Sequence, residues 1–319
     1  MHKFAKDFHT LNYAIKGSER ILLFAHSSPD GDTVGSVVAL KEYIQALGGR
    51  SDICCFDQFP SFFLPLFQEE FIHPDQLEIG KYKLLIATDS VERGFEKLIP
   101  SLGPDQITAL IDHHPDISIR GDINIIDPAY SSVCQIIYDL FRFSEVKISR
   151  KGATALMLGI LSDTGMLQHS NTTPEVLDAV SSLMKEGAQI SKIVETSFSN
   201  KKISTLKLWG RAFDKAKINP KNGMIVSALT KNDLEECEAT SEDIAQVASI
   251  LNTVPGTKFA LILSERDNGI IKGSLRSEKY KDMDVSKIAA QFGGGGHKLA
   301  SGFEIKGKIV ETEDGWRIE

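Results

Sequence analysis

Through the first half of the chain, short apolar, β-branched runs alternate with longer segments of helical period. Residues 20–26 (RILLFAH), 83–89 (KLLIATD) and 107–112 (ITALID) read as strands buried on both faces, because such strands are nearly continuous in apolar residues. Residues 33–47 place Val34, Val37, Val38, Leu40, Tyr43, Ile44 and Leu47 near one helical face, and Gly48-Gly49 stops the pattern. Residues 135–141, 153–161 and 174–185 are also helical in period. Strands alternating with crossover helices predict an α/β fold with a mostly parallel sheet.

From about residue 190 the pattern weakens and turns polar, with Ser-Asn-Lys-Lys at 199–202. The expected organisation is a first domain over residues 1–190, a linker over 191–204 and a smaller α/β domain over 205–319. The smaller domain has strands near 223–229, 258–264, 270–275 and 303–305 and helices near 241–251 and 285–291. A length of 319 residues fits two domains, and 42% hydrophobic with 25% charged residues is the composition of a globular chain. No apolar run approaches the roughly 18–20 residues that span a bilayer, and the first residues lack the apolar stretch of a signal peptide. The expectation is therefore a cytoplasmic chain with no membrane association. Cys54, Cys55, Cys134 and Cys237 form no CxxC pair and read as free thiols.

Candidate chemistry lies where the strands end. The three strand-like runs finish on His26, on Asp89 and on Asp112-His113-His114, and open α/β sheets bind ligands at the carboxyl ends of their strands. The loop after the first run adds Asp30 and Asp32 in HSSPDGDT, and Asp163 ends the apolar segment 156–161. Taken singly, Asp30 and Asp32 suit helix caps, Asp89 and Asp112 suit turns, and His113-His114 suits an exposed loop. Together, so many carboxylates and imidazoles would repel or protonate one another unless cations neutralise them. Oxygen and imidazole donors without thiolates favour Mn²⁺, with Mg²⁺, Co²⁺, Fe²⁺ or Zn²⁺ as alternatives. The donors outnumber what one ion needs, so two ions about 3.5–4 Å apart are expected.

A second candidate site is the run Gly293-Gly294-Gly295-Gly296-His297 before a short apolar strand, whose backbone amides could cradle an anion or simply form a flexible link. Arg276, followed by Ser277, offers a planar fork suited to phosphate. A net charge of −7 argues against a broad surface for long nucleic acid, whose affinity rests on many Lys and Arg contacts.

These motifs together resemble the DHH–DHHA1 phosphoesterases, and within them the small bacterial nanoRNase and pAp-phosphatase type. HSSPDGDTVGS at 26–36 is similar to the family's His-x-x-Pro-Asp-x-Asp-x-x-Gly-Ser. Asp89, Asp112-His113-His114 and Asp163 stand as its next three motifs, and GGGGHKLASG at 293–302 as the signature of its accessory domain. The resemblance implies an N-terminal DHH domain, a smaller C-terminal DHHA1 domain and an active cleft between them. It implies one Mn²⁺ on His26, Asp30 and Asp89 and a second on Asp32, Asp89, His113 and Asp163. His114 would touch the scissile phosphate or assist the leaving oxygen, and Asp112 would orient a ligand histidine. Arg276, Ser277, Gly294, Gly295, Gly296 and His297 would grip the distal part of a nucleotide. The implied reaction is Mn²⁺-dependent hydrolysis, by a hydroxide bridging the ions, of short oligoribonucleotides, linear dinucleotides such as pApA, or pAp. A homodimer is compatible with the sequence. An inorganic pyrophosphatase shares the N-terminal ligands but has a different second domain. A non-catalytic nucleotide sensor would be expected to have lost a ligand, and none is missing. One departure is Gln135, in the segment after the third motif where family members commonly carry Glu.

Overall fold

Five parallel strands form the sheet of the N-terminal unit: β1 (Ile21–Ala25), β2 (Ser51–Cys54), β3 (Leu84–Thr88), β4 (Ile107–Asp112) and β5 (Ile123–Ile126). Their order is β2-β1-β3-β4-β5, every adjacent pair being parallel. The computed structural model describes residues 2–115, 117–196, 202–244, 246–312 and 315–319. It divides into two units, Met1–Asn200 and Lys201–Glu319.

Alternate residues of these strands feed two cores. Ile21, Leu23, Leu84, Ile86, Ala109 and Ile111 pack with helices α1 (Ala5–Lys16), α2 (Gly31–Ala46), α4 (Val133–Phe143), α5 (Arg150–Asp163) and α6 (Pro174–Lys185). Leu22, Phe24, Leu85, Ala87 and Leu110 pack on the other face with Phe95 and Leu98 of the short α3 (Phe95–Leu98). Burial on both faces explains why β1 and β3 are almost entirely apolar.

The strand order has one functional consequence. Winding reverses between β1 and β3, and the crevice outside the carboxyl ends at such a switch point is where open α/β sheets bind ligands. His26 follows β1 and Asp89 follows β3, one on each side of it.

The second unit holds a six-stranded mixed sheet in the order β10-β11-β9-β8-β7-β6. Its elements are α8 (Ile203–Asp214), β6 (Lys217–Asn219), β7 (Met224–Leu229), α9 (Lys231–Glu236), α10 (Val247–Leu251), β8 (Phe259–Arg266), β9 (Ile270–Arg276), α11 (Val285–Ala290), β10 (Gly295–His297) and β11 (Ala300–Lys306). The hairpin β12 (Ile309–Thr312) and β13 (Gly315–Ile318) follows. Leu208 and Ala212 of α8 cover one sheet face with α10; Val285 and Ala289 of α11 cover the other.

Three expectations change. Residues 191–194 of the expected linker belong to a short helix, α7 (Ile190–Val194), and α8 already begins at Ile203; of the Ser-Asn-Lys-Lys stretch at 199–202 only Lys202 lies within the described residues. The helix expected over 241–251 is a 3₁₀ turn, Ser241–Ile244, and then α10, because Gln246 takes a left-handed φ of 75° that no α-helix accepts. The glycine run is not an open loop. Gly295, Gly296 and His297 pair antiparallel with Gly302, Ser301 and Ala300, while the amides of Gly293 and Gly294 donate to the Ala290 and Ala289 carbonyls of α11. Any Cβ on Gly294 would overlap the Gly302 carbonyl, so close approach of strands is what glycine supplies there.

Candidate metal centre and substrate cleft

Each candidate ligand is fixed by the element it terminates. Asp30 caps α2: its Oδ1 accepts from the amides of Asp32 and Thr33, 3.0 and 3.1 Å away, and from the Thr33 hydroxyl. The capping role is therefore real and leaves the second carboxylate oxygen available to a metal ion, because all three bonds fall on one oxygen. Asp89 and Ser90 leave β3 with left-handed φ of 54° and 38°, a conformation Asp tolerates better than most residues and a form of strain that concentrates at functional sites. This turn aims the Asp89 carboxylate back over the sheet edge, where Thr33 Oγ1 donates to it at 2.6 Å. His113 and His114 are set by Asp112, which is fully buried and accepts from the amides of Val91, His113 and His114.

The structure brings the candidate donors together in three groups, each with its donor atoms within 4.8 Å of one another: His26, Asp30 and Asp89; Asp32, His113 and Asp163; and Asp89, His113 and His114. Asp89 and His113 each recur in two groups. His26 Nε2 lies 3.3 Å from Asp89, is buried, and makes no well-aligned hydrogen bond; His113 Nε2 lies 3.1 Å from Asp163. The ring that Asp112 orients is His114, whose Nδ1 sits 2.7 Å from Asp112 Oδ1. The Asp112 oxygen already accepts two amides, so Nδ1 is placed to donate to it, and Nε2 lies 3.1 Å from Ser90 Oγ. The His113 Nδ1 instead lies 3.4 Å from the Tyr130 carbonyl.

The electrostatics show the demand for positive charge. Burial pushes Asp32 well above the usual carboxylate range, reinforced by Asp163 and Asp89. Burial likewise raises Asp163 to about 6 against the pull of His113. His113 would be lowered by burial, but its bond to Asp163 and the charges of Asp163, Asp32 and Asp89 push it up to about 10. For Asp89 burial is overcome by the bond and charge of His26 and by His114 and His113, which hold it well below the ordinary value. Without a cation, protons must therefore balance this cluster, and a divalent ion would replace them. Among the described residues no thiol joins these donor groups. Burial holds the nearby Cys55 thiol at about 11 and Cys134 well above its ordinary value, and Cys55 Sγ donates to the His26 carbonyl. The donor set is thus oxygen and imidazole, which fits a hard or borderline divalent ion.

Gln135 is explained locally. Its Oε1 accepts from the amide and hydroxyl of Ser131, 2.9 Å each, a clamp that a neutral amide makes as well as a carboxylate.

In the second unit Arg276 lines a cleft of about 530 Å³ on the open part of one sheet face, with Lys272 and Ser274 of β9, Ser264 and Arg266 of β8, and Glu304 of β11. Burial lowers the Arg276 pKa from its ordinary value, and its Nη1 donates to the Leu275 carbonyl. Ser277 is buried and its hydroxyl donates to the Lys258 carbonyl, so only its lone pairs are open to a ligand. Gly294, Gly295 and Gly296 lie at the sheet edge; the His297 side chain falls outside the described residues. Sequence reasoning missed Thr33 and Ser90, which hold Asp89 and face His114, although both adjoin predicted ligands. It also missed Lys272 and Ser274, whose only signal is the period-two spacing with Arg276.

A parallel sheet with a hard-donor centre at its switch point, followed by a mixed-sheet unit with a basic cleft, defines a class of metal-type hydrolase built from two units. The family model for the DHH family, N-terminal domain, matches residues 20–160, and that for the DHHA1 domain matches residues 221–314. The chain belongs to the DHH–DHHA1 family and is a phosphoester hydrolase. It is 29% identical over 288 residues to a bifunctional oligoribonuclease and PAP phosphatase NrnA of Thermus thermophilus, covering 90% of this chain and 84% of that one. It is 27% identical over 290 residues to the protein of that name from Bacillus subtilis, covering 90% of each. The crystal structure of an exopolyphosphatase-related protein from Bacteroides fragilis shares the fold with a TM-score of 0.87 at 23% identity, over 97% of this chain and 94% of that one. Among the described residues no helix is long and apolar enough to cross a membrane.

Proposed function

We propose that this chain hydrolyses short oligoribonucleotides, linear dinucleotides such as pApA, and pAp, with two Mn²⁺ ions held by His26, Asp30, Asp32, Asp89, His113 and Asp163. The observation that carries the reading is the convergence of these donors in overlapping groups at the β1/β3 switch point. When bound, the ions would lower the pKa of a water held between them and neutralise charge developing on the phosphoryl oxygens. His114, held by Asp112, presents Nε2 to the departing oxygen and can donate to it when protonated. The relatives of the preceding paragraph carry oligoribonuclease and PAP phosphatase in their names, which supports this substrate class.

The cleft in the second unit supports short substrates. From Arg276 to Lys272 is four residues of strand, about 13 Å, which is room for few nucleotides. With −7 overall, each nucleotide beyond the cleft gains little attraction. The test measures kcat/KM with Mn²⁺ on pAp, pApA and pyrophosphate, and on RNAs of two, three, five, ten and about twenty-four nucleotides at fixed ionic strength. A maximum at the short end is expected. Equal or rising efficiency toward the longest RNA, with steep salt dependence, would replace this reading with a processive exonuclease, and pyrophosphate as the preferred substrate would replace it with a pyrophosphatase.

Arg276→Ala raises KM for nucleotides with a smaller effect on kcat, because the residue lies in the second unit's cleft and not among the metal donors. Arg276→Lys recovers only part of the loss, since an ammonium cannot reproduce the planar fork. Loss of kcat alone in steady-state kinetics would show that Arg276 does not grip substrate.

A further inference from the structure

We infer that two groups without metal-binding chemistry, the backbone amide of Val133 and the bare Cα of Gly159, are positioning elements that hold Asp32 where it can ligate. The inference rests on the two-ion reading above. Asp32 is wholly buried in the first turn of α2, and two amides at the start of α4 donate to its carboxylate: Val133 N to Oδ2 at 2.7 Å and Cys134 N to Oδ1 at 2.9 Å. A helix start leaves four amides without internal partners. Here the N-cap Ser132 hydroxyl takes the amide of Gln135, and Asp32 takes the two before it. Asp32 thus acts as a second cap, and the partial positive charge of the α4 terminus favours its ionised form.

Helix α5 also packs against the carboxylate. Helices α2 and α5 cross antiparallel through glycines. A Cβ on Gly31 would stand 2.7 Å from the Ser162 side chain, one on Gly35 would stand 2.9 Å from Cys134 Sγ, and one on Gly159 would overlap Asp32 Oδ1 and Cys134 Sγ. None of these distances is found at real Cβ atoms, so a side chain at Gly159 must displace something, and Asp32 is one of two candidates. The same crossing delivers Asp163, at the last residue of α5, beside Asp32 and His113. The amides hold the carboxylate and the missing side chain leaves room for it. Neither touches the group formed by His26, Asp30 and Asp89.

It follows that the two halves of the centre are separable. Metal-free wild type, Gly159→Ala and Val133→Pro would be titrated with Mn²⁺ by calorimetry, with thermal unfolding as a check on folding. Wild type should bind two ions. Each variant should keep one ion at wild-type affinity and bind the other at least about tenfold more weakly, the range seen when groups that orient a ligand are removed. In turnover, kcat should fall with KM little changed.

Val133→Pro guards against misfolding of Gly159→Ala. Val133 is the first residue of α4, where proline is favoured, and Ser132 before it is extended (φ −164°, ψ 162°), as a residue preceding proline must be. The substitution deletes the amide and exchanges a buried core side chain for a ring of similar bulk, and the thermal melt reads the cost of that exchange. The double variant Gly159→Ala with Cys134→Gly separates the two contacts: recovery of the second ion would show that Gly159 spares Cys134, not Asp32, and would overturn its assignment. Two ions at full affinity in Val133→Pro would overturn the role of the amide. Wild type that binds no ion or one ion would instead defeat the two-ion reading itself.

Discussion

Asp89→Asn lowers turnover by at least about two to three orders of magnitude, the loss typical when electrostatic stabilisation of the transition state is removed, while the protein still folds. Asp89 is the carboxylate that appears both with His26 and Asp30 and with His113 and His114, so on the proposed two-ion reading it is the one that would serve both. Asparagine keeps a single acceptor oxygen. That oxygen can keep the Oδ2 position beside the Thr33 hydroxyl and His26, but the new amide NH₂ then takes the Oδ1 position near His114 Nδ1 and offers no lone pair to a second ion. The backbone does not suffer, because asparagine accepts the left-handed φ of 54° at this position as readily as aspartate does. Kinetics on protein stripped and reloaded with Mn²⁺, beside a thermal melt, measure both halves of the expectation. Rates near wild type in a properly reloaded sample would mean that Asp89 does not bridge.

The legibility of this site in the sequence has a physical cause. β1, β3 and the latter part of β4 are buried on both faces, so each reads as a mostly apolar run, and the charged or imidazole residue that follows is where the strand leaves the core. His26, Asp89 and Asp112 therefore announced themselves by position. The strand order was not readable, because pairing is set by packing between distant segments. β2 and β5, four residues each, carry too little pattern to register. Glycine has poor strand propensity, and the run at 293–296 became part of a strand only because Ala300, Ser301 and Gly302 pair with it. The groups that hold Asp32 were invisible for another reason: a backbone amide has no letter in a sequence, and a glycine does not disclose which neighbour it spares.

Dialysis against a chelator should abolish turnover, and Mn²⁺ should restore it together with a gain in thermal stability that grows from about pH 5 to pH 8. The direction follows from the ligands. Asp163 is raised by burial from 3.8 to about 6, so in the metal-free protein its contribution to stability is complete below its unfolded pKa and is lost as pH rises through about 6. Asp32, also raised by burial, loses its contribution in the same sense as pH rises. His113, raised to about 10, contributes fully below its ordinary 6.5 and is lost only as pH climbs toward 10. Asp89 runs oppositely: its pKa is depressed, so its contribution is present above its ordinary value and lost only in strong acid, outside the window. Between pH 5 and 8 the metal-free centre therefore accumulates uncompensated negative charge. Mn²⁺ neutralises that charge and competes with protons for the same atoms, so its binding tightens over the same range. Unfolding midpoints with and without Mn²⁺ at several pH values read the difference directly. A Mn²⁺ increment that stays constant across the window would place the stabilising ion on groups that do not titrate there, and so outside the cluster of Asp32, His113 and Asp163.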